Sequence, residues 1–167
     1  MIEVKNVKIC QWMSEETLAF ECSVYYKNKR VGYAKNDGKG GCNYIDVPNE
    51  LYKEMDKWCK DNLPKWGFPE VNSKLHDMDL ELHISELVRD FDDEQFLKRQ
   101  MKNWVLVFDD DCKKGGTWRY SKKTMRARNE NEKQLFEDVK DRFHKGKNPI
   151  LINELPIKKS VSVVYGR

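Results

Sequence analysis

No closely spaced cysteine pair, no apolar run approaching a membrane span and only three histidines occur among the 167 residues. Each lack narrows the choice of chemistry. Structural zinc sites draw their thiolates from close pairs. The five cysteines here, Cys10, Cys22, Cys42, Cys59 and Cys112, are scattered and odd in number. They read as reduced thiols of an intracellular protein, some of them packed as small hydrophobes. A spanning helix needs about 20 apolar residues, and the start "MIEVKNVKIC" lacks the apolar core of a secretory leader. The expectation is a cytoplasmic protein with no membrane partner. There is no G-x-S-x-G motif and no cysteine in a nucleophile context, so no catalytic residue is assigned. Charge of one sign is also scarce. With 31 basic and 28 acidic residues the net charge is +3, which excludes an acidic mimic of nucleic acid but leaves nucleic acid open as a partner.

What is present supports a folded core. The chain is 39% hydrophobic and 11% aromatic, too rich in apolar residues for a disordered segment. The first third reads as strands. "EVKNVKIC" alternates imperfectly, whereas "TLAFECSVYY" places Leu18, Phe20, Cys22 and Val24 on one face, as a half-buried strand requires. "KNKR" supplies a hairpin turn in which Asn28 tolerates positive φ, "VGYAK" returns, and "CNYIDV" can add a short strand. Pro48 suits the start of a helix carrying Leu51, Met55, Trp58 and Cys59. Pro64 ends it.

"PKWGFPEVNS" is a connector, with Trp66 and Phe68 expected to pack. Leu80, Ile84, Leu87, Val88 and Phe91 form a second helical stripe. Asp92 with Gln95 resembles a capping box and predicts a fresh helix carrying Leu97 and Met101. "WVLVFD" is a buried strand, "DDCKKGG" a turn and "TWRYS" its returning partner. Asn129 and Glu132 are expected to cap a helix with Leu135, Phe136, Val139 and Phe143 inside and Gly146 at its stop. "PILIN" is a short strand, and the tail "IKKSVSVVY" fits strand or helix equally. The expected class is α+β: an N-terminal antiparallel β-meander followed by a helix, then helices packed with a β-hairpin and a short C-terminal strand or helix. The chain reads as a single integrated domain, 1–167, divisible at the connector into subdomains 1–64 and 70–167.

The most distinctive stretch is "YAKNDGKGGCNY". Glycine-freed N–H groups can form a nest for an anion, with Lys39 adding charge. Asn36 and Asp37 would orient a ribose or a phosphate-bound water. The spacing excludes both GxxxxGK[ST] and GxGxxG phosphate loops. The plain alternative is a turn with a bulge. Basic and aromatic residues interleave in "KKGGTWRYSKKTMRAR", where Trp118, Arg119, Tyr120, Lys122, Lys123, Arg126 and Arg128 can stack bases and contact phosphates. Two acidic clusters carry little metal signal. Asp109 to Asp111 read as a solvated hairpin tip. His76, Asp77, Asp79, His83 and Glu86 read as a charged helix on which His76 and His83 share a face. No metal ligand and no cofactor is assigned.

Four segments stand in a fixed order: "SEETLAF" at 14–20, "VGYAKNDGKGGCN" at 31–43, "FLKRQMKN" at 96–103 and "ILINELP" at 150–156. Together they resemble a family of uncharacterised small proteins carried by bacteria, their phages and their plasmids. That family often has His where Lys39 stands here, so the resemblance implies binding rather than chemistry at the loop. It also implies a mobile-element context. The recognition edge expected on this basis is Asn36, Asp37, Gly38, Lys39, Gly40, Gly41 and Asn43 beside Glu15, Glu16 and Thr17. The expected partner is a host protein, such as a defence protein to be inhibited, or a nucleotide signal. The rival expectations are a nucleic-acid-binding module using 113–128 and a metal-dependent hydrolase.

Overall fold

The computed structural model describes residues 1–67, 75–113, 115–128 and 131–166. The fold is α+β, and the chain divides into two compact units, Met1–Phe91 and Asp92–Arg167.

Unit 1 begins with a four-stranded antiparallel sheet, β1 (Ile2–Ile9), β2 (Phe20–Tyr26), β3 (Lys29–Asn36) and β4 (Tyr44–Asp46), in that spatial order. The β2–β3 hairpin turns through Lys27 and Asn28 at φ 50° and 65°, the left-handed pair that a tight turn between right-twisted strands requires. The alternation of β2 is real: Phe20, Cys22, Val24 and Tyr26 are all buried. They meet Met55 and Cys59 of α1 (Asn49–Asn62) and Leu80, Ile84 and Val88 of α2 (Leu80–Asn103) in one apolar cluster. Burial pushes the Cys22 and Cys59 thiols up to about 11, so both act as core hydrophobes. Trp66 and His76 exchange backbone hydrogen bonds of 2.9 and 2.8 Å and stack their rings 5.5 Å apart. The rest of the connector, including Phe68, lies outside the described residues.

α2 corrects one expectation. No new helix starts at Asp92; α2 continues unbroken from Leu80 to Asn103. An N-cap residue must leave helical φ and ψ, and no glycine or proline interrupts α2. Apolar positions resume at Leu97 and Met101, so continued winding buries them.

Unit 2 holds a three-stranded antiparallel sheet with β5 (Trp104–Phe108) between β6 (Trp118–Ser121) and β7 (Ile150–Leu151). Adjacent strand residues face opposite ways, which explains why "WVLVF" is apolar throughout. Leu106 packs with Leu97, Ile152, Val161 and Val164. Val105 packs instead with Met125, Leu135, Val139 and Leu151. The first group draws on α2 and α5 (Ile157–Tyr165), the second on α3 (Lys122–Ala127) and α4 (Glu132–Phe143). The ambiguous tail is therefore helical, closed by Gly166 at φ 68°. Asn131 caps α4, its side chain accepting from the Gln134 amide at 2.9 Å; Asn129 lies outside the described residues. Phe143, expected inside, is 61% exposed. Beyond the end of β7, Asn153 extends the pairing with a side chain. Its amide accepts from Leu106 N at 2.6 Å and donates to the Trp104 carbonyl at 3.0 Å.

Candidate functional site

β3 delivers Asn36, 9% exposed, to the root of the Gly-rich loop. Its Oδ1 accepts from the Thr17 hydroxyl and the Gly38 amide, both at 2.8 Å. Its Nδ2 donates to the Gly41 carbonyl at 2.9 Å and to Asn43 Oδ1 at 3.0 Å. The Gly38 carbonyl in turn accepts from the amides of Glu15, Glu16 and Thr17 at 2.9, 2.9 and 3.3 Å. Gly38 has φ +85°, and a Cβ there would lie 2.2 Å from the Met13 carbonyl oxygen. Only glycine fits that approach. The Ser-Glu-Glu-Thr turn and the loop are thus stapled together. Ser14 secures the turn's other end, donating to the Cys10 carbonyl at 3.1 Å and accepting from Ala19 N at 2.9 Å.

The donors of an anion nest are largely engaged within this knot. Gly38 N serves Asn36, Lys39 N serves Asp37 Oδ1 at 3.2 Å, and Gly40 N serves Thr17 Oγ1 at 3.3 Å. At its far end the loop docks on α2. Asn43 N donates to Glu81 Oε1 at 2.8 Å, and Asn43 Nδ2 to Ser85 Oγ at 2.7 Å.

Two clefts open beside the knot. The first, of about 520 Å³, is lined by Glu15, Glu16, Thr17, Asn36, Gly41 and Asn43 of the expected set. Glu81, Ser85 and Arg89 of α2 join them. The second, of about 650 Å³, shares Asn36 and Gly41 and adds Asp37 with Ile9, Met13, Cys42 and Tyr44. Gly38, Lys39 and Gly40 line neither. Sequence reasoning missed the α2 residues because it read them only as a solvated helix face. It also passed over Trp12, which stands 86% exposed on the short 3-10 turn Gln11–Met13, next to Gln11 of the first cleft.

Unit 2 carries a different arrangement. Asp109 is not part of a solvated tip: it is 1% exposed. Its Oδ2 pairs with His144 Nδ1 at 2.7 Å, and His144 Nε2 meets the Tyr120 hydroxyl at 2.7 Å. Its Oδ1 accepts from Trp118 Nε1 at 3.0 Å and from the Asp111 amide at 3.1 Å. Burial pushes the Asp109 carboxyl up, but donation from His144, Trp118, Cys112 and the Asp111 amide outweighs it and holds the pKa below the ordinary value. A carboxylate on Nδ1 assigns the proton there in neutral His144 and leaves Nε2 to accept from Tyr120. Burial, helped by the Asp109 charge, raises the Tyr120 phenol. The three side chains form a closed polar chain that joins β5, β6 and the end of α4.

Beside it lies a cleft of about 500 Å³ lined by Trp104, Arg119, Tyr120, Arg128, Arg142 and Phe143, with Ser121, Thr124 and Asp138. The expected nucleic-acid set therefore divides. Arg119, Tyr120 and Arg128 line the cleft. Trp118 is bound to Asp109, and Lys122 pairs with Glu132, its side chain 14% exposed. Lys123 and Arg126 are exposed outside the cleft; Lys114 lies outside the described residues.

Among the described residues, no group of three or more His, Cys, Asp or Glu side chains is placed to hold a metal ion. His76 sits in the bridge to Trp66 rather than on a helix, so it shares no helix face with His83. His83 packs 6.3 Å from Trp58, and burial lowers its pKa. No described helix is long and apolar enough to cross a membrane. What the fold and its clefts define is an α+β protein of two compact units, each with its own polar cleft. The chain matches no family model, no curated protein and no solved structure.

Proposed function

We propose that this chain is a non-enzymatic binding protein whose first unit receives a protein partner at the cleft beside the Gly-rich loop. The observation that carries this reading is Trp12. An 86% exposed tryptophan sits on a tight turn immediately before an acidic rim, and tryptophan is one of the residues enriched at the hot spots of interfaces. Glu15, Glu16 and Glu81 line the cleft, and Arg89 is the only cation among its lining residues. That charge balance favours a basic side chain of a partner and disfavours the phosphates of a nucleotide signal. The engaged amides of the loop argue the same way. The motif resemblance supports a mobile-element setting, in which the partner is a host protein such as a defence protein that the chain would inhibit.

The test uses the immobilised full chain against a host lysate, beside Trp12→Ala and a Glu15→Lys/Glu16→Lys double variant. A partner held by the parent chain and lost by both variants, all three having the same circular dichroism, is the expected result. Equal recovery by all three, or recovery of a nucleotide instead of a protein, would overturn it.

A further inference from the structure

Three arginines from three different elements converge on the cleft of unit 2. Arg119 comes from β6, Arg128 caps the end of α3, and Arg142 lies in the last turn of α4. All three are exposed, and Asp138 is the one carboxylate that joins them in the lining. Arg119 lies over the Trp104 ring at 5.7 Å. No ion pair among the described residues engages Arg128 or Arg142. Lys122, Lys140 and Lys147, by contrast, are paired with Glu132, Glu137 and Asp111. Arg128 and Arg142 are thus available to a ligand, while Arg119 also donates to Gln100 Oε1 at 3.4 Å.

The same cleft presents aromatic surface. Phe143 is 61% exposed beside Arg142, and Trp104 and Tyr120 complete the lining. An exposed phenylalanine at the end of a helix contributes little to the core, whereas a ring beside cations suits a stacked base. The walls are held in place from behind. Tyr120 on β6 is tied through His144, at the C-cap of α4, to the buried Asp109. Two links of 2.7 Å therefore fix the strand bearing Arg119 against the helix end bearing Arg142 and Phe143. A site preformed in this way loses little conformational freedom on binding.

We propose that this cleft binds single-stranded nucleic acid, with Arg119, Arg128 and Arg142 on successive phosphates and Phe143 under a base. Tyr120 is a positioning residue, and no bond is made or broken. The site differs from a basic hairpin arm. It excludes Lys122, Lys123 and Arg126 and takes Arg142 and Phe143 from a helix about twenty residues further along the chain.

Fluorescence anisotropy of the full chain with labelled oligo-dT tests it. Three phosphate contacts predict a slope of log K against log salt near −2, since each contributes about 0.7 on a single strand. Arg128→Gln/Arg142→Gln should bring the slope to about −0.7 and weaken binding at low salt at least tenfold, whereas Lys123→Gln/Arg126→Gln should leave the slope near −2. Phe143→Ala should weaken oligo-dT roughly tenfold by loss of stacking but leave an abasic strand of equal length unaffected. Arg142→Lys should retain most of the affinity, and matching thermal melts would show that the variants fold. The proposal falls if oligo-dT does not bind at low salt, or if the Lys123/Arg126 pair matters as much as the Arg128/Arg142 pair. It also falls if the abasic strand or inorganic polyphosphate binds as tightly as oligo-dT, because charge alone would then explain the affinity.

Discussion

Two of the described clefts, one lined by Glu15, Glu16 and Glu81 in unit 1 and one by three arginines in unit 2, are built in opposite ways. In unit 1 glycines and asparagines form the rim, their polar atoms are bound to one another, and glutamates outnumber arginine three to one. In unit 2 the polar knot lies behind the cleft, in Asp109, His144 and Tyr120, while arginines outnumber aspartate three to one on the open side. The comparison separates two jobs that look alike in a sequence. A cluster of Asn, Asp, Thr and Gly can be a ligand cradle or a joint that closes the backbone. What decides is whether its donors and acceptors already have partners.

The comparison breaks most sharply at Asp109. Replacing it with Ala strands His144, the Trp118 indole and the Asp111 amide, and should cost about 3 kcal/mol in denaturant unfolding. The same carboxyl makes unit 2 acid-sensitive. Its folded pKa lies below the ordinary value, so its contribution is complete above about pH 4 and is lost as pH falls through the folded value. In Asp109→Asn the loss of stability as the pH falls below about 4 should flatten; an unchanged acid limb would remove this account.

Asn36→Ala, the counterpart in unit 1, leaves Thr17, Gly38, Gly41 and Asn43 each short of a partner and should cost about 2.5 kcal/mol by the same measurement. The glycines grade the loop more finely. Gly38→Ala should cost about 2 kcal/mol, because its Cβ meets a backbone oxygen at 2.2 Å at φ +85°. Gly40→Ala should cost about 1 kcal/mol, since at φ +83° its nearest contacts are with the Glu16 side chain, whose carboxylate can move, rather than with backbone. Equal costs at the two positions would show that the Met13 contact is irrelevant. The smallest effect belongs to the open rim. Glu15→Lys/Glu16→Lys should change stability by under about 0.5 kcal/mol, because both side chains are exposed. A large loss there would mean that the rim belongs to the fold rather than to a partner.

The strands, helices and α+β class were legible where local pattern and burial agree, as in β2, β5 and α1. The mistakes share one cause. Asp92 and Gln95 have the spacing of a cap, but continued burial at Leu97 and Met101 favours the helix. Phe143 has helical spacing from Val139, yet no neighbour covers it. Of the four ordered motifs, three place polar residues in backbone roles. Ser14 and Thr17, Asn36 and Asn43, and Asn153 each complete hydrogen bonds that no strand or helix supplies. The sequence makes such residues conspicuous without telling what they bind.

Period and turn chemistry alone determined where this chain forms strands and helices and which of their faces are apolar, because those choices rest on neighbours a few residues away. Tertiary structure alone decided the fate of the polar groups. Asp109 meets His144, 35 residues further on, and Asn43 meets Ser85, 42 residues further on. Arg142 reaches the cleft of Arg119 only through the packing of α4 against β5 and α3. A side-chain hydrogen bond is short-ranged and indifferent to sequence separation, so no local pattern announces it.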